Sequence, residues 1–187
     1  YHTKIQEVIQ WQNIRQLVHF TRITNLRSII ECGILSRQEI EKKKIKVEFN
    51  DPQRLDAWPN TSSVSITKKN IYLFPKFVER SKTNENDWFD ILINPSILTE
   101  KECIFCDTNA SNHKFNGLRN DSNSLKTSEA FKGMFKEYVI RTELGKPTPR
   151  NKKDDNLTTD SQAEICVYGI IEREYFLNLN EIKEKIK

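Results

Sequence analysis

Strand-length runs rich in β-branched and aromatic residues punctuate this chain at irregular intervals, at residues 17–20, 62–67, 88–93 and 163–171. Helical and strand signals are mixed without a regular βαβ rhythm, so the alternation that a doubly wound parallel sheet requires is missing. The pattern predicts an α+β fold in one domain over residues 1–187, a length sufficient to bury a real core.

Local signals fill in this outline. Ile5, Val8, Ile9 and Trp11 have the spacing of a short amphipathic helix within 3–16. Thr24 is placed to cap a helix carrying Leu26, Ile29 and Ile30, and Gly33 to end it. Residues 36–61 read as loop and turn around Asn50-Asp51-Pro52 and Pro59-Asn60. In 62–67, Val64 and Ile66 fall on one face and Ser63 and Ser65 on the other, as in a half-buried strand. Residues 88–93 read as a central strand stopped by Asn94-Pro95, and Ile104-Phe105 continues the sheet after a helical turn at Ile97-Leu98. Residues 107–125 read as a long loop, and 128–138 as a helix presenting Phe131, Met134, Phe135 and Tyr138. The polar tract 142–161 is long enough to be functional or disordered. Asn180 is placed to cap a small closing helix.

Several function classes are disfavoured. No apolar run approaches the roughly 20 residues of a membrane helix, and the start, YHTKIQEVIQWQ, lacks a signal-peptide core. A start on Tyr rather than Met is that of a trimmed or partial chain. Cys32, Cys103, Cys106 and Cys166 lie in a Lys-rich chain without secretory features, so reduced thiols in a cytoplasm are expected. Cys103-x-x-Cys106 has no second pair, with only His113 seven residues on, and no metal is expected. The five glycines include neither a G-x-G-x-x-G nor a P-loop pattern, so a dinucleotide must be held by other means. A net charge of +4 and a pI near 8.8 permit nucleic-acid binding without demanding it. Basic residues cluster at Lys42-Lys43-Lys44-Ile45-Lys46 and Arg150-Asn151-Lys152-Lys153, patterns that also suit solvated surface.

Three stretches can carry chemistry. His19-Phe20-Thr21 opens a strand–turn–helix unit where an imidazole and a hydroxyl can meet a ribose, although a lone strand-end His is also a common structural residue. In Asn50-Asp51-Pro52-Gln53-Arg54-Leu55-Asp56, the arginine between carboxylates suits a surface ion cluster or a fork for pyrophosphate oxygens. Glu164 opens a strand directly after the polar tract, where a carboxylate faces either a cleft or solvent.

Taken together, HFTRITNLRSIIECGILSR (19–37), NDPQRLD (50–56), SVSI (63–66), NPSILTEKECIFCDTNAS (94–111) and TDSQAEICVYGII (159–171) resemble the DarT family of ADP-ribosyltransferase toxins, in the family's order and over most of the chain. The resemblance implies an ADP-ribosyltransferase fold, with two packed antiparallel sheets around an NAD cleft and flanking helices. It implies that His19, Phe20 and Thr21, with Ser28, Ser36 and Arg54, contact NAD, and that Arg54 and Glu164 are catalytic. It implies a loop before Glu164, including Gln162, that presents the substrate base, with Trp58, Tyr72 and Phe74 as candidate stacking partners. The implied reaction moves ADP-ribose from NAD onto a base of single-stranded DNA, releasing nicotinamide and blocking replication. The implied partner is an antitoxin that removes the modification. The NDPQRLD and ECIFCDTNAS stretches look more like the branch associated with guanine modification than the thymidine-modifying one, so guanine is the expected base. Transfer to RNA or protein, and a catalytically silent nucleic-acid-binding module, are the alternatives.

Overall fold

The computed structural model describes residues 2–49, 57–142, 145–150 and 153–187. Helix α1 (His2–Trp11) leads into strand β1 (Leu17–Arg22), a 3-10 turn, α2 (Leu26–Cys32) and α3 (Arg37–Lys43). Then follow β2 (Thr61–Ile66), α4 (Leu73–Arg80), β3 (Trp88–Ile93), α5 (Ile97–Glu100) and β4 (Cys103–Cys106). After two further 3-10 turns come α6 (Ser128–Gly133), β5 (Tyr138–Val139), β6 (Thr148–Pro149), β7 (Glu164–Tyr168) and α7 (Leu179–Lys185). Strands β5 and β6 form a small ribbon, and the other five form one antiparallel sheet ordered β3-β1-β2-β7-β4.

This sheet is split along its middle. β1 pairs with β3 along its whole length, but with β2 only at Leu17↔Ile66 and Val18↔Ser65. The other half of β2 pairs with β7, from Thr61↔Tyr168 to Val64↔Ile165. The two expected sheets are therefore two halves that share β2 and diverge past Val18, which opens a cleft between β1 and the start of β2.

Alternation along the strands explains the layering. Leu17, Val64, Ile66, Ile91, Ile93, Phe105, Ile165 and Val167 join one core with Ile5, Val8 and Ile9 of α1 and Phe131 of α6. The opposite face of the β4–β7 half packs Ile104, Cys106 and Cys166 against Trp58 and Phe115 in a second, smaller core. Phe105 and Phe131 stack with ring centroids 4.6 Å apart. Among the described residues, no helix is long and apolar enough to cross a membrane.

Several sequence expectations need correction. β3 is an edge strand, not a central one. Its length of apolar residues misled because the C-terminal segment covers the edge, as sheet edges require. Asn178 donates to Asp90 O at 3.0 Å and accepts from Leu92 N at 3.0 Å. Backbone bonds from Leu177 N to Leu92 O and from Asn94 N to Tyr175 O continue the cover. Trp11 is 70% exposed, because Ile5, Val8, Ile9 and Gln12 complete the buried face of α1 without it. Residues 37–43, expected as loop, form α3, whose N-terminus Ser36 caps by accepting from Glu39 N at 3.3 Å. Thr24 lies inside the 3-10 turn rather than capping α2, while Gly33 ends that helix at φ 79°. The helix expected over 128–138 stops at Gly133, and Tyr138 turns outward in β5. Asn178, not Asn180, stands at the start of α7.

Asn178→Ala strands a backbone carbonyl and an amide on the buried β3 edge. It should lower unfolding free energy by about 2 kcal/mol, read as a lower urea midpoint; an unchanged midpoint would show that the edge is covered without it.

Candidate active site

The split between β1 and β2 opens a cavity of about 390 Å³, within the usual size of small-molecule sites. At its apex the ladder gives way to a side chain: His19 Nδ1 lies 2.9 Å from Ser63 O. A carbonyl only accepts, so Nδ1 carries the ring proton and the tautomer is fixed. Val18, Phe20 and Thr21 line one wall and Thr61, Ser62 and Ser63 the other.

Asn25, buried in the turn after β1, ties the third wall in place. Its Nδ2 donates to Glu48 O at 2.9 Å and to Thr21 Oγ1 at 3.2 Å, and its Oδ1 accepts from Glu48 N at 2.9 Å. This pairing holds the segment that presents Ile45, Val47 and Phe49 to the cavity. The Glu48 carboxylate is turned to Arg22, 2.9 Å away. Arg37 stacks on Phe49, its guanidinium carbon 3.8 Å from the ring centroid.

Glu164, the first residue of β7, reaches the cavity from the opposite half-sheet. Asn109 Nδ2 donates to Glu164 Oε1 at 2.8 Å. Asn109 is itself held, because its Oδ1 accepts from Ser111 N at 2.9 Å and from the Ser111 hydroxyl. Asn109 and Ser111 also line the cavity. The carboxylate thus has a fixed direction before any ligand arrives.

The tract before Glu164 is anchored rather than loose. Arg141 grips fully buried Asp160 through two bonds, Nε to Oδ2 at 2.6 Å and a terminal nitrogen to Oδ1 at 2.8 Å. Burial would raise the Asp160 pKa, yet the Arg141 bonds and the Gln162 N–H outweigh it and hold the carboxyl below its ordinary value. Arg150 donates to Leu157 O at 2.8 Å and to Asp155 O at 3.1 Å. Lys153 donates to Thr158 O at 3.1 Å and Thr159 O at 2.6 Å, and burial lowers its pKa. These two members of the second basic cluster therefore turn inward to carbonyls.

The sequence-predicted residues divide accordingly. His19, Phe20, Thr21, Ser28 and Glu164 come together around the cavity, with Ser28 Oγ donating to Asn25 O at 2.9 Å. Arg54 lies outside the described residues. Ser36 is not in the lining; it is buried and spent on the α3 cap. Trp58 is only 4% exposed and packs in the second core, its Nε1 donating to Arg119 O at 3.3 Å, so it offers no stacking face. Phe74 is likewise buried, edge-on to Phe20 with ring centroids 5.5 Å apart. Tyr72 is half exposed just ahead of α4. Gln162 sits half-buried in the turn, with its N–H on Asp160 Oδ1 at 2.9 Å. All four cysteines are free thiols. Burial pushes the Cys103 thiol well up, and contact with Cys166 together with burial does the same to Cys106, so neither is a ready nucleophile.

A protein-family model described as DarT, ssDNA thymidine ADP-ribosyltransferase, matches residues 18–186. The chain belongs to the DarT family. A solved structure, Thermosipho africanus DarTG in complex with ADP-ribose, superposes with a TM-score of 0.54 at 15% identity, covering 92% of this chain and 47% of that one. The DarT chain described here thus spans about half the length of that relative, and shares its α+β ADP-ribosyltransferase-like fold. No curated protein matches it. Asn25, Asn109 and Ser111 were absent from the sequence-derived site of this DarT chain. The latter two fall within the ECIFCDTNAS stretch, whose Asn109-x-Ser111 spacing is that of a local side-chain turn and was the available signal.

The Asp160 pair gives a signed pH dependence. Because its folded pKa is lowered, its stabilisation is complete above its ordinary value of about 3.8 and is lost as pH falls through the folded one. Asp160→Asn should therefore lower the melting temperature at neutral pH, with the gap to wild type closing below about pH 4. Parallel curves from pH 7 to pH 3 would remove Asp160 from this role.

Proposed function

We propose that this chain transfers ADP-ribose from NAD to a base of single-stranded DNA, as its family's description names. The observation that carries the reading is the Asn109-oriented Glu164 carboxylate in the wall of the split-sheet cavity. The lining mixes apolar side chains, suited to aromatic rings, with His19, Thr21 and serine groups suited to ribose hydroxyls. Bound NAD supplies a C1′–nicotinamide bond whose cleavage develops positive charge on the sugar. Glu164 stabilises that charge electrostatically and bonds the ribose hydroxyls. Nicotinamide leaves with the bond's electron pair, a base nitrogen bonds to C1′, and the displaced proton passes to Glu164. Arg54 is assigned the pyrophosphate or the base, fixing the geometry of attack. Asn109 acts through Glu164 as a positioning residue. The base must be unstacked to enter the cleft, which favours single strands.

The base we assign is thymine. Guanine was expected from NDPQRLD and ECIFCDTNAS. The family model's description names thymidine instead; the first stretch lies outside the described residues, and the second brings Asn109 and Ser111 to the cavity. By the same family resemblance, an antitoxin that removes ADP-ribose is the expected partner.

Incubation with labelled NAD and, separately, single-stranded DNA, duplex DNA, RNA and protein extract tests this. Label should pass to single-stranded DNA, and mass analysis of the digest should find modified thymidine. A guanosine adduct would change the base alone, and label on RNA or protein would change the acceptor. Absence of transfer and of NAD binding would leave a silent binding module. Glu164→Gln should lower transfer at least about 100-fold while the melting temperature stays near wild type. Asn109→Ala should lower kcat about tenfold or more with little change in NAD affinity, since a loosened carboxylate forfeits most of its preorganisation.

A further inference from the structure

Helix α4 presents a row of residues to the mouth of the cavity that nothing in the proposed NAD site uses. Leu73, Lys76, Phe77 and Arg80 all line it. Leu73 and Phe77 lie half-buried against the cleft, while Lys76 and Arg80 are exposed. Tyr72, 53% exposed and helical in backbone conformation, precedes them. Tyr72, Lys76 and Arg80 are spaced four residues apart, so they stack on one helix face at intervals of about 6 Å.

The cations of this row are not paired among the described residues, although Glu79 lies on the same helix three positions from Lys76. No hydrogen bond or ion pair joins Lys76 or Arg80 to another described residue. Nearby cations are already engaged: Lys69 pairs with Asp90 at 3.1 Å, and Arg141 with Asp160 at 2.6 Å. Of the two carboxylates among the described lining residues, Glu48 is turned to Arg22 and Glu164 to Asn109. The row is also held in place, because buried Asn70 caps the helix by accepting from Tyr72 N at 3.0 Å and Leu73 N at 3.1 Å. The chain entering α4 is tied to the tract that leads through Asp160 and Gln162 to Glu164, because Thr67 Oγ1 donates to Asn156 O at 2.7 Å.

We propose that the Tyr72–Lys76–Arg80 face of α4 is a track for the single strand flanking the target base, with Lys76 and Arg80 on successive phosphates and Tyr72 stacking on a neighbouring base. Exposed aromatic faces combined with a line of cations are the general means of holding single strands without reading sequence. The two cations stand at the rim with their heads in solvent, which suits a backbone passing over the mouth rather than a pyrophosphate enclosed within. The proposal rests on the DNA-transferase reading and names where that substrate lies.

The test uses the full chain carrying Glu164→Gln, to prevent turnover, and a fluorescent single-stranded oligonucleotide titrated over a salt series. Adding Lys76→Ala with Arg80→Ala should weaken binding and flatten the slope of log K against log salt by about 1.4, at about 0.7 per phosphate contact. Tyr72→Ala should weaken binding about fivefold or more at unchanged slope. NAD affinity, measured by calorimetry, should be unaffected in both. A control removing two lysines from α7, Lys183→Ala with Lys185→Ala, should leave the slope alone. The proposal is overturned by an unchanged slope in the α4 variant or by an equal loss in the α7 control. It is equally overturned if NAD binding weakens while DNA binding holds, which would assign the pair to the cofactor's pyrophosphate. Failure of the parent chain to bind single-stranded DNA at all would reject the transferase reading itself, a result distinct from any α4-specific outcome.

Discussion

The bond from His19 to the Ser63 carbonyl marks the place where this sheet stops being a sheet, and the functional geometry follows from it. An antiparallel ladder that continued past Val18↔Ser65 would close β1 onto β2 and leave no cavity. With the ladder ended, β1 satisfies itself along β3 and β2 along β7, and the backbone groups facing the gap need other partners. One is supplied by the imidazole at 2.9 Å. The hydrogen-bonding groups along such a cleft are what a polar ligand finds on entering it. The same residue therefore ends the core and begins the site.

Glu164 depends on a second constraint, the ordering of the chain before it. That tract is polar, and its backbone cannot be buried without partners. Arg150 and Lys153 donate to its carbonyls, Thr67 Oγ1 donates to Asn156 O at 2.7 Å, and Thr159 N donates to Met134 O at 2.9 Å. The ion pair of Arg141 with Asp160 offsets the cost of one fully buried carboxylate with a partly exposed guanidinium. Its value is also geometric: a bidentate fork admits few orientations, so it fixes the turn from which β7 departs. Cations that look in sequence like a nucleic-acid surface are here the internal fasteners of a loop, whereas those of α4 remain at the surface.

Much of this was legible in the residues. Apolar runs pointed to β1, β3 and β4, and period-two alternation to β2 and β7, because each strand of the main sheet buries apolar side chains whatever its neighbours are. Strand order was not legible: 88–93 is apolar enough for a central strand, and only the distant Asn178 and Tyr175 reveal that its edge is covered. α3 was missed although Ser36-x-x-Glu39 carries a capping pattern, since its face buries no residue fully and so lacks helical periodicity. Ser36, Trp58 and Phe74 have chemistry suited to ligands, but a cap, the smaller core and an aromatic cluster with Phe20 and Trp88 claim them. Asn109 was passed over for the converse reason. Its importance lies in a partner 55 positions away, and no local pattern encodes that distance.

The separation of these roles bears on how specificity can vary on such a scaffold. Residues at the floor of the cleft, such as His19 and Thr21, are bound into the ladder's end and into Asn25. Changing them costs the cavity as well as the contact. The rim is different: Tyr72, Lys76 and Arg80 are exposed, and none of their side chains is in a hydrogen bond or ion pair with another described residue. Substitution there alters how strongly a strand is held at little cost in stability. On the proposed reading, a scaffold built this way keeps the donor chemistry at the floor of the split and can change from the rim how strongly it holds a strand, leaving the surroundings of Glu164 untouched.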